Sequence, residues 1–270
     1  DIHALGKDIL WFHAVIWPCM LMALGEQLPR VVYAHSWWIR EGQKMSKSLG
    51  NFLDFPTLRG YADAFSLDAL RWFLLTQGPL GATDADFAHA RFVETYNADL
   101  ANGVGNAASR VSNMIDKYFA GACPDPRGVT SHAGHDWPAL SGAAVDRALG
   151  AIDSFDIEGA LEAGLGLVRR VDAYINATEP FKVAKDESRR DELGIILYHC
   201  AEALRIAALI LQPAMPTKMA DMLARFGAPD VSAARLDRDG KWGGLRPGVT
   251  VRKGEALFPR ADADAPAPEP

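Results

Sequence analysis

The chain has 270 residues, 49% of them hydrophobic and 23% charged, with a formal net charge of -6. That length can bury one or two cores, and the acidic balance argues against a nonspecific nucleic-acid coat while leaving room for a local basic face. Three cysteines, Cys19, Cys123 and Cys200, are odd in number and too far apart for a metal knuckle, so free thiols in a reducing cytoplasm are expected, with no disulfide.

The sequence opens DIHALGKDI, with neither an initiator methionine nor the basic-then-apolar layout of a secretory signal, and reads as a piece cut from something longer. HALGK reads as a strand end. Asp8 to Leu24 reads as a helix, because Ile9, Phe12, Ile16, Met20 and Leu24 recur every three or four residues. His13 and Pro18 interrupt this richest apolar run, which falls short of the roughly 18 residues a membrane span needs, so no membrane partner is expected. VVYAHSWWI, between Pro29 and Gly42, reads as a strand. One helix and two strands are too little for a doubly wound sheet, whose other half is expected before residue 1.

Next comes EGQKMSKSLGN, two lysines and two serines around a methionine, flanked by Gly42 and Gly50. Such stretches are ordinarily solvated surface loops. After a strand, this one also suits a mobile element that closes over a polyphosphate, its ammonium groups offsetting charge on a leaving group.

From Ser66 the periodicity turns helical. Ser66 caps LDALRWFLLTQ, which Gly78 and Pro79 stop. A long helix is expected from Asp86 to Gly121, with Phe92, Tyr96, Leu100, Val104, Val111 and Met114 on one face despite Gly103 and Gly105. Residues 122–140 read as a loop. Helices near 141–153, 156–178, 187–212 and 216–226 complete a bundle. KWGGLRPGVTVRKGEALFPR reads as short extended segments, and ADADAPAPEP as a disordered tail. No internal repeat is visible.

GKDI, FHAVIWPCML, KMSKSLGN, DALRWFLL, YNADLANGVGNAASR and EPFKVAK, in that order, resemble the carboxyl-terminal half of bacterial methionyl-tRNA synthetases, which are class I aminoacyl-tRNA synthetases. The likeness runs from residue 1 to about residue 226, and LFPR near 257 resembles the family's closing segment. It implies a mainly α chain: the end of a Rossmann-type α/β catalytic domain carrying the KMSKS loop (1–60), a connecting stem-contact region (61–85), an anticodon-binding helical bundle (86–230), a fold-back segment (231–260) and the tail (261–270).

The resemblance further implies ATP-dependent activation of methionine to methionyl-adenylate, and its transfer to tRNA-Met in the cytoplasm. ATP with Mg2+ is then substrate, and any zinc would lie in an amino-terminal part that these residues do not include, as would the family's ATP-binding signature. The 270 residues alone are therefore expected to be inactive.

By carry-over, Lys47 contacts the phosphates with Lys44 assisting, while Ser46 and Ser48 shape the loop and Met45 anchors it. Asp8 matches a carboxylate near the adenylate, although a helix N-cap is its plain structural reading. His13 and Trp17, one helical turn apart, match the methionine pocket, where an aromatic wall suits a thioether; their plain reading is core. His35 matches a histidine before the loop, with Ser36 where the family usually has glycine.

Asn106 and Arg110, four apart on one helix face, suit the reading of base edges and match residues that contact the CAU anticodon. Phe181 stands where a tryptophan usually stacks on an anticodon base. The HAGH stretch, His132 to His135, superficially resembles the class I ATP signature but lies downstream of KMSKS, in the bundle, where no catalytic role is expected. The alternative to a ligase fragment is a freestanding anticodon-binding module without aminoacylation activity. Class I synthetases for leucine, valine or cysteine are disfavoured by FHAVIWP and by the anticodon-helix segment.

Overall fold

A computed structural model describes residues 2–228, 234–264 and 266–268. The chain is mainly helical, with a small α/β part leading into a helical bundle. β1 (Ile2–Gly6) and β2 (Val31–His35) pair in parallel, Ile2 opposite Val31 and Gly6 opposite His35. The crossover between them is the expected helix: a 3-10 turn, a π-helical turn at Phe12–Ile16 and α1 (Trp17–Leu24), closed by Gly25 at φ 72°. Its apolar residues do not reach a core. Trp11 is 65% and Leu24 71% exposed, and α1 buries none of its residues. Helical periodicity marks a face that can be covered, and among the described residues nothing covers it.

VVYAHSWWI is two strands rather than one. The break falls after His35, and β3 (Trp38–Arg40) joins a second sheet of order β4-β3-β5, with β4 at Gln43–Lys44 and β5 at Ala85–Asp86. Asp84 holds the break: one of its carboxylate oxygens accepts the Trp37 N–H at 3.0 Å and the Lys7 ammonium at 2.6 Å. The β3–β4 hairpin turns through Glu41 (φ 49°) and Gly42 (φ 73°), two successive left-handed residues, as a two-residue hairpin of matching twist requires.

α2 (Phe55–Phe65) has no counterpart in the sequence reading. Asp54 caps it, accepting the Thr57 N–H and hydroxyl. α3 (Leu67–Thr76) starts where expected, with the Ser66 hydroxyl accepting the Ala69 N–H. The long helix begins at His89, not Asp86, whose carboxylate accepts the Gly42 N–H instead. It runs as α4 (His89–Thr95), a π-helical segment (Tyr96–Gly105) containing both glycines, and α5 (Asn106–Phe119). Rings of Tyr61, Phe65, Phe73, Phe87 and Phe92 interlock at centroid distances of 4.8 to 6.4 Å, and Trp38 stacks on Phe73. This aromatic cluster fastens the hairpin to α2, α3 and α4.

The predicted loop at 122–140 contains a hairpin, β6 (Ser131–His132) with β7 (His135–Asp136), and α6 (Trp137–Asp153) starts four residues early because Asp136 caps it. α7 (Ile157–Thr178), α8 (Pro180–Val183), α9 (Arg190–Leu211) and α10 (Pro216–Arg225) follow. With its preceding turn, α9 is long and apolar enough to cross a membrane, but 94% of that window is buried inside the bundle, so it is the core helix.

α3 is tied to the bundle by charge. Arg71 donates to the carbonyls of Pro213 and Ala214, and the buried Asp68 accepts the Lys218 N–H at the start of α10. The carboxyl-terminal segment, with α11 (Leu236–Asp239), folds back over the bundle, Leu257 and Phe258 entering the core. The tail's first residue, Ala261, is pinned by a two-way hydrogen bond with Asn97; residues 265, 269 and 270 of the predicted disordered tail lie outside the described residues.

Candidate functional site

The carboxyl ends of β1 and β2 bring Gly6, Asp8 and His35 together. A Cβ on Gly6 would meet an Asp8 carboxylate oxygen at 2.8 Å and His35 Cε1 at 4.0 Å, so a side chain there would displace the Asp8 carboxylate from its place over the strand end. Among the described residues Asp8 makes no capping hydrogen bond, which removes the plain N-cap reading; it sits inside the 3-10 turn, two residues past the cap position at Gly6. His13 and Trp17 share a face, as their spacing requires, and line a cavity of about 540 Å³ with His3 and strand residues of β1. The His3 and His13 rings meet edge-on at 6.4 Å, and His13 Nδ1 lies 3.0 Å from the Ile9 carbonyl. Neither His13 nor Trp17 is a core residue.

The KMSKS stretch begins in β4 and continues as a 3-10 turn at Lys47–Leu49. Asn51 closes it like a clasp: its carbonyl accepts the Ser46 N–H at 2.9 Å and its amide donates to the Lys44 carbonyl at 3.2 Å. The Ser46 hydroxyl accepts the Leu49 N–H and lies 3.1 Å from that of Ser48, so both serines shape the turn. The Lys44 side chain is exposed. The Lys47 side chain lies outside what is described. Met45 lines a mostly apolar cleft of about 480 Å³ with Ser36, Trp37, Trp38 and Phe52, and the buried Ser36 hydroxyl has no hydrogen-bond partner among the described residues. His35 Nδ1 contacts the Ser36 carbonyl at 2.9 Å, and the Ser36 N–H donates to the Pro79 carbonyl. Lys7, through its hydrogen bond, and the Trp37 N–H hold the Asp84 carboxyl below the usual range, so Asp84 stays anionic beside a loop that carries cations.

In the bundle, Asn106 and Arg110 stand one turn apart on α5. Asn106 is exposed. Arg110 is held by α7: its Nη1 donates to Asp172 at 3.0 Å and its Nη2 to the Asn176 side-chain carbonyl at 3.2 Å. Burial pushes the Asp172 carboxyl up, and the Arg110 guanidinium pulls it back only in part. The guanidinium is therefore fixed in direction, with donors left over for a ligand. Phe181, 47% exposed, stands five residues past Asn176 on α8, after the left-handed Glu179 (φ 44°) turns the chain.

His132 and His135 have structural partners. His132 bonds the Tyr174 hydroxyl at 2.8 Å and faces Glu192, and His135 stacks on Trp137. Among the described residues, no group of three or more His, Cys, Asp or Glu side chains is placed to hold a metal ion.

Sequence reasoning missed Asn51, Asp172 and Asn176. The signal for the last two was a polar pair four apart on α7, one helical turn from each other. Asn51 carries no such signal beyond its place after Gly50.

A family model described as tRNA synthetases class I (M) matches residues 1–112. Methionine-tRNA ligases of Caldanaerobacter subterraneus subsp. tengcongensis and Bacillus subtilis are 39% and 38% identical over 98% of this chain, which covers 40% and 39% of theirs. That of Streptomyces coelicolor is 40% identical over 97% of this chain and 49% of its own length. The crystal structure of Mycobacterium tuberculosis methionyl-tRNA synthetase bound by methionyl-adenylate superposes with a TM-score of 0.84 at 33% identity, over 96% of this chain and 50% of that one. The chain thus spans two fifths to half the length of the relatives it matches.

Proposed function

We propose that this chain, which belongs to the methionyl-tRNA synthetase family of class I tRNA synthetases, supplies the phosphate-facing loop and the anticodon-reading bundle of a methionine-tRNA ligase. The observation that carries the reading is the joining of two pre-organised cationic elements by one frame. At one end Asn51 clasps the loop of Lys44 and Lys47; at the other Asp172 and Asn176 aim Arg110. α7 separates them. Its first turn follows Phe155, whose ring packs 5.8 Å from that of Tyr33 on β2, and its last turns hold Arg110. Its 22 residues span about 33 Å at 1.5 Å per residue.

In the proposed reaction the methionine carboxylate attacks the α-phosphorus of ATP, which arrives with Mg2+. A new acyl P–O bond forms, and the bond to pyrophosphate breaks. Lys47, with Lys44 as second point charge, offsets the charge growing on the departing pyrophosphate. His13 and Trp17 flank the methionine side chain, and Asp8 stands where the adenylate sits. A hydroxyl of the terminal ribose of tRNA-Met then attacks the acyl carbon and AMP leaves. The protein acts in the cytoplasm, where translation takes place.

The test is pyrophosphate exchange. In a ligase containing these residues, Lys47→Ala slows methionine-dependent ATP-pyrophosphate exchange by on the order of a hundredfold and changes methionine affinity little. Unimpaired exchange in that variant would remove the loop from the mechanism. The 270 residues by themselves are expected to give no exchange, and exchange above background would show that an adenylate site forms without the family's amino-terminal signature.

A further inference from the structure

A third cationic feature lies on α6 and α7, apart from the loop and from Arg110. α6 and α7 enclose a groove of about 490 Å³, lined by Arg147, Arg169, Arg170 and Glu162 over a floor of small residues that includes Ala144 and Gly166. Arg169 is engaged, donating to Glu162 at 2.5 Å and reaching Asp99 at 3.5 Å. Arg147 and Arg170 are exposed and make no hydrogen bond or ion pair with the described residues. In a chain of net charge -6, two unpaired guanidinium groups over one hollow are not the overflow of a generally basic surface.

We propose that this groove receives the phosphodiester backbone of the RNA whose anticodon is read at Arg110, a proposal that rests on the RNA-reading assignment above. Three observations point to phosphate. A guanidinium fork matches two phosphate oxygens, and both free forks line the same space. The floor of alanine, glycine, Leu140 and Leu167 offers no hydrogen-bonding side chain to a base edge, and its small residues let a ribose-phosphate chain approach closely. The groove also shares a helix with the Arg110 site: Ala173, which lines it, follows Asp172, which holds Arg110, on α7. From Ala173 its lining runs back along α7 to Glu162, toward the end of the helix that follows Phe155 and its contact with Tyr33. Glu162 and Asp99 are spent on Arg169, and Asp172 on Arg110, so the carboxylates nearest the groove do not neutralise Arg147 or Arg170. Backbone contacts of this kind add affinity and position without reading sequence.

The experiment is a salt series on the 270-residue chain with a CAU anticodon stem-loop RNA and a stem-loop altered in one anticodon base. The double variant Arg147→Gln/Arg170→Gln is expected to weaken both RNAs equally and to flatten the slope of log K against log salt by about 1.5, at roughly 0.7 to 0.9 for each phosphate that is no longer neutralised. The preference for CAU should stay as it was. Arg147→Lys/Arg170→Lys should restore most of the slope, because an ammonium still displaces a counterion. An unchanged slope in the glutamine variant, with CAU still preferred by the unaltered chain, overturns the groove alone. Arginine-dependent binding of polyglutamate with no change in the RNA slope also overturns it, and assigns the groove to an acidic polypeptide. An unaltered chain that binds neither stem-loop overturns the RNA-reading assignment and the groove together.

Discussion

Glu202 is 0% exposed and satisfies itself entirely from protein groups. Its two oxygens accept the N–H groups of Gly243, Gly244 and Leu245 at 2.8 to 2.9 Å and two donors of Arg205 at 2.7 and 2.8 Å, while Arg205 also donates to the carbonyls of Asp239 and Lys241. One carboxylate thus ties the core helix to the carboxyl-terminal segment. Removing it leaves three N–H groups without acceptors and a buried guanidinium without its counter-charge, and breaking a buried pair this way costs about 3 to 5 kcal/mol. Glu202→Ala should lower the urea midpoint accordingly; a variant within about 1 kcal/mol of the unaltered chain would contradict the anchoring role. In the sequence Glu202 pairs legibly with Arg205 three residues on, but nothing nearby in the chain announces that its three backbone donors lie some forty residues away.

At the scale of elements, local signals were legible and long-range ones were not. Ser66 as a cap, the helical spacing of α5, α7 and α9, and the one-turn pairing of His13 with Trp17 follow from side-chain chemistry and period alone. The break in VVYAHSWWI was hidden because Trp37 is held by Asp84, 47 residues away. The late start of the long helix was hidden for a like reason: Asp86 looks like a cap, but a turn more than forty residues earlier claims its carboxylate. The π-helical segment at Tyr96–Gly105 has its glycines in plain view, yet their effect on helical winding is set by what packs against them, with Phe258 close beside Gly105. In the candidate sites, the residues that would meet a ligand were readable by resemblance. Those that aim them, Asn51, Asp172 and Asn176, belong to other turns or helices and needed the fold.

For the whole molecule, the bundle is a closed core and the α/β part is not. The bundle's interior includes a titratable relay: His199 Nε2 to the Val129 carbonyl, His199 Nδ1 toward the Tyr174 hydroxyl, and that hydroxyl to His132, which faces Glu192. Burial, then the nearby His132, lowers the His199 pKa below its ordinary 6.5, against a raising contribution from the Val129 carbonyl. As pH falls through 6.5 the unfolded chain takes up a proton that the folded chain refuses, so stability is lost on the acid side and regained above it. The loss cannot exceed about 1.4 kcal/mol per pH unit. Glu192, whose pKa is lowered mainly by Arg189, acts only at more acidic pH. The melting temperature should therefore fall between about pH 7.5 and pH 5.5, and His199→Gln should fall less steeply; equal slopes would place the titration elsewhere.

If the helical frame holds Arg110 ready to read one anticodon, affinity for short RNAs must depend on the anticodon sequence. Titrating the 270-residue chain with a CAU stem-loop and with one carrying a single changed anticodon base should give a difference of about 1 to 3 kcal/mol for that base, and Arg110→Ala should erase most of it. Equal affinity for the two RNAs in the unaltered chain would contradict the reading role, and would leave the Arg110, Asp172 and Asn176 cluster as a brace of the bundle.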